Sequence, residues 1–417
     1  MIKSTKTTYV FILMLLGLVV SGCGAKNEQG TAKQQEKENI SLTVWGAQDD
    51  LELLGEMSES FKEKYADEAT FTFNMEAVDE GICKNVILED VNSAADVFAF
   101  GDDQLMTIAA GGIISPIEDK EQVVADNLEA AIEAATINDQ LYAYPMTADN
   151  GYFMYYNKKY FSDSDVKNLN RMLEIAEKKN KKVVMDWSSG WYLYSFFGNS
   201  GLKLGLNDDM VSNYCDWNST SGEIKGLDIA NAMLSIAKSP AFYNTQDDGF
   251  VKGVQDGTVI AGVSGMWNAN HLQKAWGEDY AAVKLPTYTV AGKELQMASY
   301  AGYKLVGVNA YSDHKDWATK FAQWITNEEN QKLRFMKRGL GPSNSNAANS
   351  PEVQASIAMQ ALLEQSQYSS LQRVGEKYWD AVQEFGLLLA NEPTKAGNLQ
   401  KRLDTMVKSI TSNWVDK

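Results

Sequence analysis

A chain of 417 residues, 44% hydrophobic with 31 Gly and 7 Pro, has the makeup of a globular protein with two or three cores, not of a low-complexity or fibrous one. Its 38 Lys+Arg against 55 Asp+Glu leave a formal charge of −17, which repels phosphate backbones and anionic lipid and makes nucleic acid a poor partner. Three cysteines without a CxxC pair offer neither a disulfide framework nor a zinc site, and two histidines, His271 and His314, restrict histidine-based catalysis without touching carboxylate chemistry.

Lys3 and Lys6 precede an apolar run from Tyr9 to Val20, and the small residues Ser21 and Gly22 follow before Cys23. This is the layout of a secretory leader over residues 1–22, too short for a membrane span of about 20 apolar residues. Val20-Ser21-Gly22-Cys23 also resembles a bacterial lipobox, which implies that Cys23 is lipidated and begins the mature chain. A diacylglyceryl group brings two acyl chains, enough for stable anchoring. Residues 23–39 carry no large apolar side chain and are expected to be a solvated tether. The working part is therefore expected on the extracellular face of a bacterial cell membrane.

Ile40 to Trp45 alternates and is rich in β-formers, so it predicts a first strand. Asp49 and Asp50 are candidate N-caps for an amphipathic helix carrying Leu54, Met57, Phe61 and Tyr65. Strands are expected at Thr70–Met75 and Ala95–Phe100, with a helix from Asp103 to Ala110 stopped by Gly111-Gly112. Past Tyr144-Pro145, the stretch Tyr152–Tyr156 opens a second lobe. Val183–Met185 and Val259–Val263 predict further strands, and Lys284–Tyr288 an extended segment. Trp317, Phe321, Trp324 and Ile325 mark one strong helix ending in the basic stretch Lys332–Arg338; Tyr378–Leu389 and Leu399–Ile410 are helical. Alternating strands and helices predict an α/β fold.

Chemistry-bearing motifs mostly fail. Asp163-Ser-Asp165-Val-Lys167 begins like a calcium loop but lacks the turn glycine, and Gly262-Val-Ser264-Gly265 is one residue short of a nucleophile elbow. No phosphate-binding loop, zinc-protease or dinucleotide motif occurs, and neither a cofactor nor a metal is expected. Cys83 and Cys215 read as buried small apolar residues. The remaining signal is aromatic: 10 Trp and 19 Tyr, several beside polar loop residues, as in Asp186-Trp187-Ser-Ser-Gly-Trp191-Tyr192 and Gly265-Met-Trp267-Asn268. Sugar rings expose C–H faces that pack on aromatic rings while their hydroxyls need polar partners. Trp317 and Trp324 share one helical stripe and read as core; Trp191 and Trp267, flanked by Gly, Ser and Asn, read as a site.

Leu42-Thr-Val-Trp45, Ala95-Asp-Val-Phe-Ala-Phe100-Gly-Asp-Asp103, Ala143-Tyr-Pro145 with Tyr156-Asn157-Lys158, Gly257–Gly262 with Trp267, Leu285-Pro286-Thr287, and the Trp317 helix followed by Gly341-Pro342 occur in a specific order. In this, nearly the whole mature chain resembles the extracellular solute-binding proteins of sugar ABC importers, in particular the maltose/maltodextrin-binding family. The resemblance implies a periplasmic-binding-protein-like α/β fold, two lobes joined by hinge strands around a ligand cleft. The lobes would comprise residues 40–149 plus 301–342 and residues 150–300 plus 343–417, with crossings near Asn150, Tyr300 and Ser343. It implies a monomer that closes on a maltooligosaccharide, presents it to an ABC permease, and does no chemistry on it. Trp267, Trp191 and Trp379 match stacking positions, Phe100 replaces a tryptophan, and Asp103 and Asp49 align with polar contacts. Trp45 and Asn150 complete the implied ligand set. Asp50 stands where maltose binders often carry lysine, which leaves other oligosaccharides open, and more distantly a secreted glycosidase using paired carboxylates.

Overall fold

Two five-stranded mixed sheets carry the architecture of the computed structural model, which describes residues 37–91, 94–209 and 211–412. The leader, Cys23 and most of the tether lie outside the described residues. The first sheet runs in the order Ala69–Ala77, Glu38–Gly46, Val97–Gly101, Lys304–Val308, Tyr144–Thr147. Its first three strands are parallel, and Lys304–Val308 is antiparallel to both neighbours. The second runs Phe242–Asn244, Lys182–Met185, Val259–Gly265, Tyr152–Asn157, Tyr280–Val283. Here Tyr152–Asn157 is the antiparallel member between Val259–Gly265 and Tyr280–Val283.

Each sheet is the centre of one lobe because its strands bury both faces, and helices supply the cover. In the first lobe, Ile40, Leu42 and Val44 meet Leu54, Met57 and Phe61 of the helix Leu51–Lys64 and Phe321, Ala322 and Ile325 of the helix Lys315–Ile325. Trp317 and Trp324 pack half-buried against this core, and the Trp324 indole N–H donates to the Met57 carbonyl at 3.0 Å. The opposite face is filled by Trp45, Phe98, Phe100 and Leu105.

Three sequence expectations are corrected. The first strand starts at Glu38, so its pairing with Ala69 and Thr70 takes in the last two tether residues. Asp50 precedes the first helix without capping it; its carboxylate instead accepts from Arg338 Nε at 2.7 Å. The single helix expected through Arg338 breaks at Thr326-Asn327 into Lys315–Ile325 and Glu328–Arg338. There Thr326 Oγ1 bonds back to the Ala322 carbonyl, and the Asn327 side chain accepts the Asn330 N–H at 2.8 Å, starting a new helix.

The chain passes between the sheets around residues 148–151, again at Gly302, and again after Pro342. These segments bond to one another: Ala148 N–H to the Gly341 carbonyl at 2.8 Å, Asn150 N–H to the Gly302 carbonyl at 3.2 Å, and Gly341 N–H to Asp149 Oδ2 at 2.7 Å. Beside them, Ser299–Ala301 pairs in parallel with Ser369–Leu371. Among the described residues no helix is long and apolar enough to cross a membrane.

Candidate binding cleft

Open α/β sheets leave room for a ligand outside the carboxyl ends of their strands, and here loops from both lobes converge there. Asp79, Glu80 and Lys84 follow the strand Ala69–Ala77, and Asp103 and Gln104 follow Val97–Gly101. Trp191 and Tyr192 come after Lys182–Met185, and Trp267 after Val259–Gly265. Asn150 and Lys304 beside the crossings, with Gln372, Glu376 and Trp379 from the tail, complete a cavity of about 620 Å³. Small-molecule sites span about 300–1,000 Å³.

The two walls differ in chemistry. Every aromatic ring lining the cavity stands on the second lobe. Ser189 caps the helix Gly190–Phe197 by accepting the Trp191 N–H at 3.3 Å, which sets Trp191 in its first turn. Tyr152 fixes that turn from below, its hydroxyl donating to the Trp191 carbonyl at 2.7 Å. Trp379 sits in the first turn of Lys377–Asn391 against Tyr378, with centroids 4.9 Å apart at 82°. A Cβ at Gly190 would lie 3.1 Å from the Tyr378 ring and 3.3 Å from the Trp379 ring, so the bare glycine lets the two helices pack closely. Trp267 is the most open of the three, 38% exposed.

The first lobe contributes charge. Gln104 organises its loop by donating to the Glu80 carbonyl at 2.5 Å and accepting the Lys84 N–H at 2.7 Å. Burial pushes the Glu80 carboxyl above the usual range, opposed by Lys304, whose Nζ is 3.6 Å away. Burial alone would lower the Lys304 ammonium, but Glu80, Asp149 and Asp50 outweigh it and hold it above the ordinary lysine value. Asp103 reaches water yet is walled in, and this desolvation raises its carboxyl against the pull of Lys84. Two ion pairs tie the lobes together: Lys84 to Glu376 at 2.8 Å across the cleft, and Arg373 to Asp102 at 3.0 Å beside the hinge. Burial pushes Asp102 up to about 6 despite that arginine.

Of the eight residues that the resemblance assigns to the ligand, Asp103, Asn150, Trp191, Trp267 and Trp379 line this cavity. Trp45, Asp49 and Phe100 do not. Trp45 and Phe100 lie in strands covered on both faces; Phe100 is fully buried, and the Trp45 indole N–H donates to Glu76 Oε2 at 2.8 Å. Asp49 is exposed on a short turn, 3.5 Å from Arg338. Trp187, from the same aromatic loop as Trp191, is wholly interior. Sequence reasoning missed Asp79, Glu80, Lys84, Gln104, Lys304 and Glu376. The signal that could have found the first four was position, since each follows the carboxyl end of a parallel strand.

Residues 56–361 match the profile of a family described as bacterial extracellular solute-binding protein. The galactooligosaccharide-binding protein of Bacillus subtilis (strain 168) is 25% identical over 387 residues, 88% of this chain and 87% of that protein. A structure solved with acarbose superposes at a TM-score of 0.79 with 27% identity, over 89% of this chain and 99% of the other. The ligand-free maltodextrin-binding protein MalE1 of L. casei BL23 gives 0.77 with 23% identity, over 90% and 100% of the two chains.

Proposed function

The chain belongs to the bacterial extracellular solute-binding proteins, and on that premise we propose that it captures a maltooligosaccharide and delivers it to an ABC import permease, without chemistry on the sugar. The observation that carries the reading is the division of the cleft: Trp191, Tyr192, Trp267 and Trp379 on one wall, and Asp79, Glu80, Lys84, Asp103 and Lys304 on the other. A pyranose has the same division, apolar C–H faces and a polar rim of hydroxyls. Acarbose in a structure 27% identical supports an α-linked ligand.

A galactooligosaccharide is the second reading, favoured by the name of the Bacillus subtilis relative. Thermal shift and calorimetry with malto-, galacto-, xylo- and fructo-oligosaccharides separate the two, because a ligand raises the melting temperature by mass action. Stabilisation by the malto series alone is expected; stabilisation by galactooligosaccharides alone would replace the first reading with the second. Chromatography of the same mixtures should show no hydrolysis, and released sugar would turn the carrier into a glycosidase. Anchoring through Cys23 belongs to the same proposal. In the native host, Cys23→Ala should abolish palmitate labelling and release protein into the medium, and persistent labelling would refute it.

A further inference from the structure

We infer that Asp247 is a positioning residue that holds Trp267 as a fixed platform for the ligand. Trp267 is 38% exposed, and a ring so open to water would ordinarily sample several orientations. Here its indole N–H donates to Asp247 Oδ2 at 2.9 Å. The other oxygen, Oδ1, accepts from Ser264 Oγ and from Asn268 Nδ2, each at 2.7 Å. Ser264 and Asn268 are themselves buried and joined at 2.9 Å, so the carboxylate is clamped from behind while it grips the ring edge.

The ring is also fixed on a face. A Cβ built at Gly265 would fall 2.0 Å from Trp267 Cζ3 and 2.2 Å from Cη2, so the indole lies directly on bare backbone. That backbone is held by the Tyr155 hydroxyl, which donates to the Gly265 carbonyl at 2.9 Å. In the run Ser264-Gly265-Met266-Trp267-Asn268, the serine and asparagine clamp the carboxylate and the glycine makes room for the ring. Asp247 does not line the cavity; its effect on a ligand passes through the ring it holds. Ordering a free side chain on binding costs about threefold to tenfold in affinity, and a ring ordered beforehand avoids that loss.

The inference rests on the cleft reading above, so its test has one arm that needs no ligand. In 15N-labelled protein the Trp267 indole N–H is assigned by its absence in Trp267→Phe. Its exchange with solvent should be slow in the wild type, faster in Asp247→Ala and intermediate in Asp247→Asn. In the second arm, calorimetry with maltotriose should show Asp247→Ala binding about fivefold more weakly, and no further loss when the same change is made in Trp267→Phe, which has no indole N–H to hold. Unchanged indole exchange in Asp247→Ala, or an equal loss in both backgrounds, would overturn the positioning role. Should maltotriose not bind the wild type, the maltooligosaccharide reading falls and the exchange arm alone decides the platform. Asp247→Asn, which preserves side-chain shape, with its ligand-free melt compared to wild type, separates positioning from loss of folding.

Discussion

Trp379 and Trp187 are both tryptophans in aromatic surroundings, yet they should answer to different measurements. Trp379 is half-buried and lines the cleft, so Trp379→Ala is expected to cost about 2 kcal/mol of binding, roughly thirtyfold, with a near-normal ligand-free melt. Trp187 is wholly interior, and Trp187→Ala should instead cost about 3–5 kcal/mol of stability. Calorimetry and melts on the two variants check this, and a Trp379→Ala protein with lowered melting but retained affinity would move that ring to the core. Asp102 offers a test by pH. Burial raises its carboxyl to about 6 in the native protein, while in the unfolded chain it titrates near ~3.9. Between those values the native state keeps a proton that the unfolded state has released. Its contribution to stability is therefore present below about pH 4 and is lost as pH rises through about 6, by up to about 3 kcal/mol. Asp102→Asn should flatten that part of the stability profile relative to wild type, and equal slopes from pH 4 to 7 would show that Asp102 does not titrate there.

At the scale of elements, hydrophobic period was a good guide and local chemistry a poorer one. The alternation of Ile40, Leu42 and Val44 and the helical stripe from Leu54 to Phe61 were legible because both patterns record one buried face. The same code cannot tell a ring in a two-faced central strand from a ring at a cleft, so it offers no check on Trp45 and Phe100, which the resemblance alone puts in the ligand set. The helix break at Asn327 was hidden because the stripe of Trp317, Phe321 and Trp324 runs on into a second stretch of good helix formers. Its cap is measurable: Asn327→Ala should cost about 1 kcal/mol, read as a shift in denaturant midpoint, and an unchanged midpoint would mean that the break is set by tertiary packing. The charged wall was least legible. Lys84 and Glu376 are 292 residues apart, so no local pattern joins them. The aromatic wall stood out because glycine, serine and asparagine around Trp191 and Trp267 contradict a core environment.

For the molecule as a whole, the cleft's two walls belong to different lobes, and the chain joins them covalently through the crossings near Asn150, Gly302 and Pro342. These crossings are bonded to one another, which lets them act as a single hinge. A ligand that packs on Trp267 and Trp379 while bonding to Asp103 and Glu80 touches both walls only when they approach, so binding must favour the closed arrangement. Lys84 and Glu376, already 2.8 Å apart, mark where the walls meet, though half-exposed pairs of this kind are worth only about 0–1 kcal/mol and cannot hold closure alone. Gly302 is the place to interfere. A Cβ there would lie 2.7 Å from Asn150 Nδ2 and 3.2 Å from both the Asn150 carbonyl and Asp102 Oδ1, so even a methyl group presses on the neighbouring crossing at Asn150 and on the Asp102–Arg373 tie. Small-angle scattering of the wild type should give a smaller radius of gyration with the stabilising oligosaccharide than without it. Gly302→Ala should bind more weakly, with a smaller contraction, while its stacking residues remain intact. An unchanged wild-type profile at saturating sugar would mean a rigid site, and full contraction in Gly302→Ala would place the moving joint elsewhere.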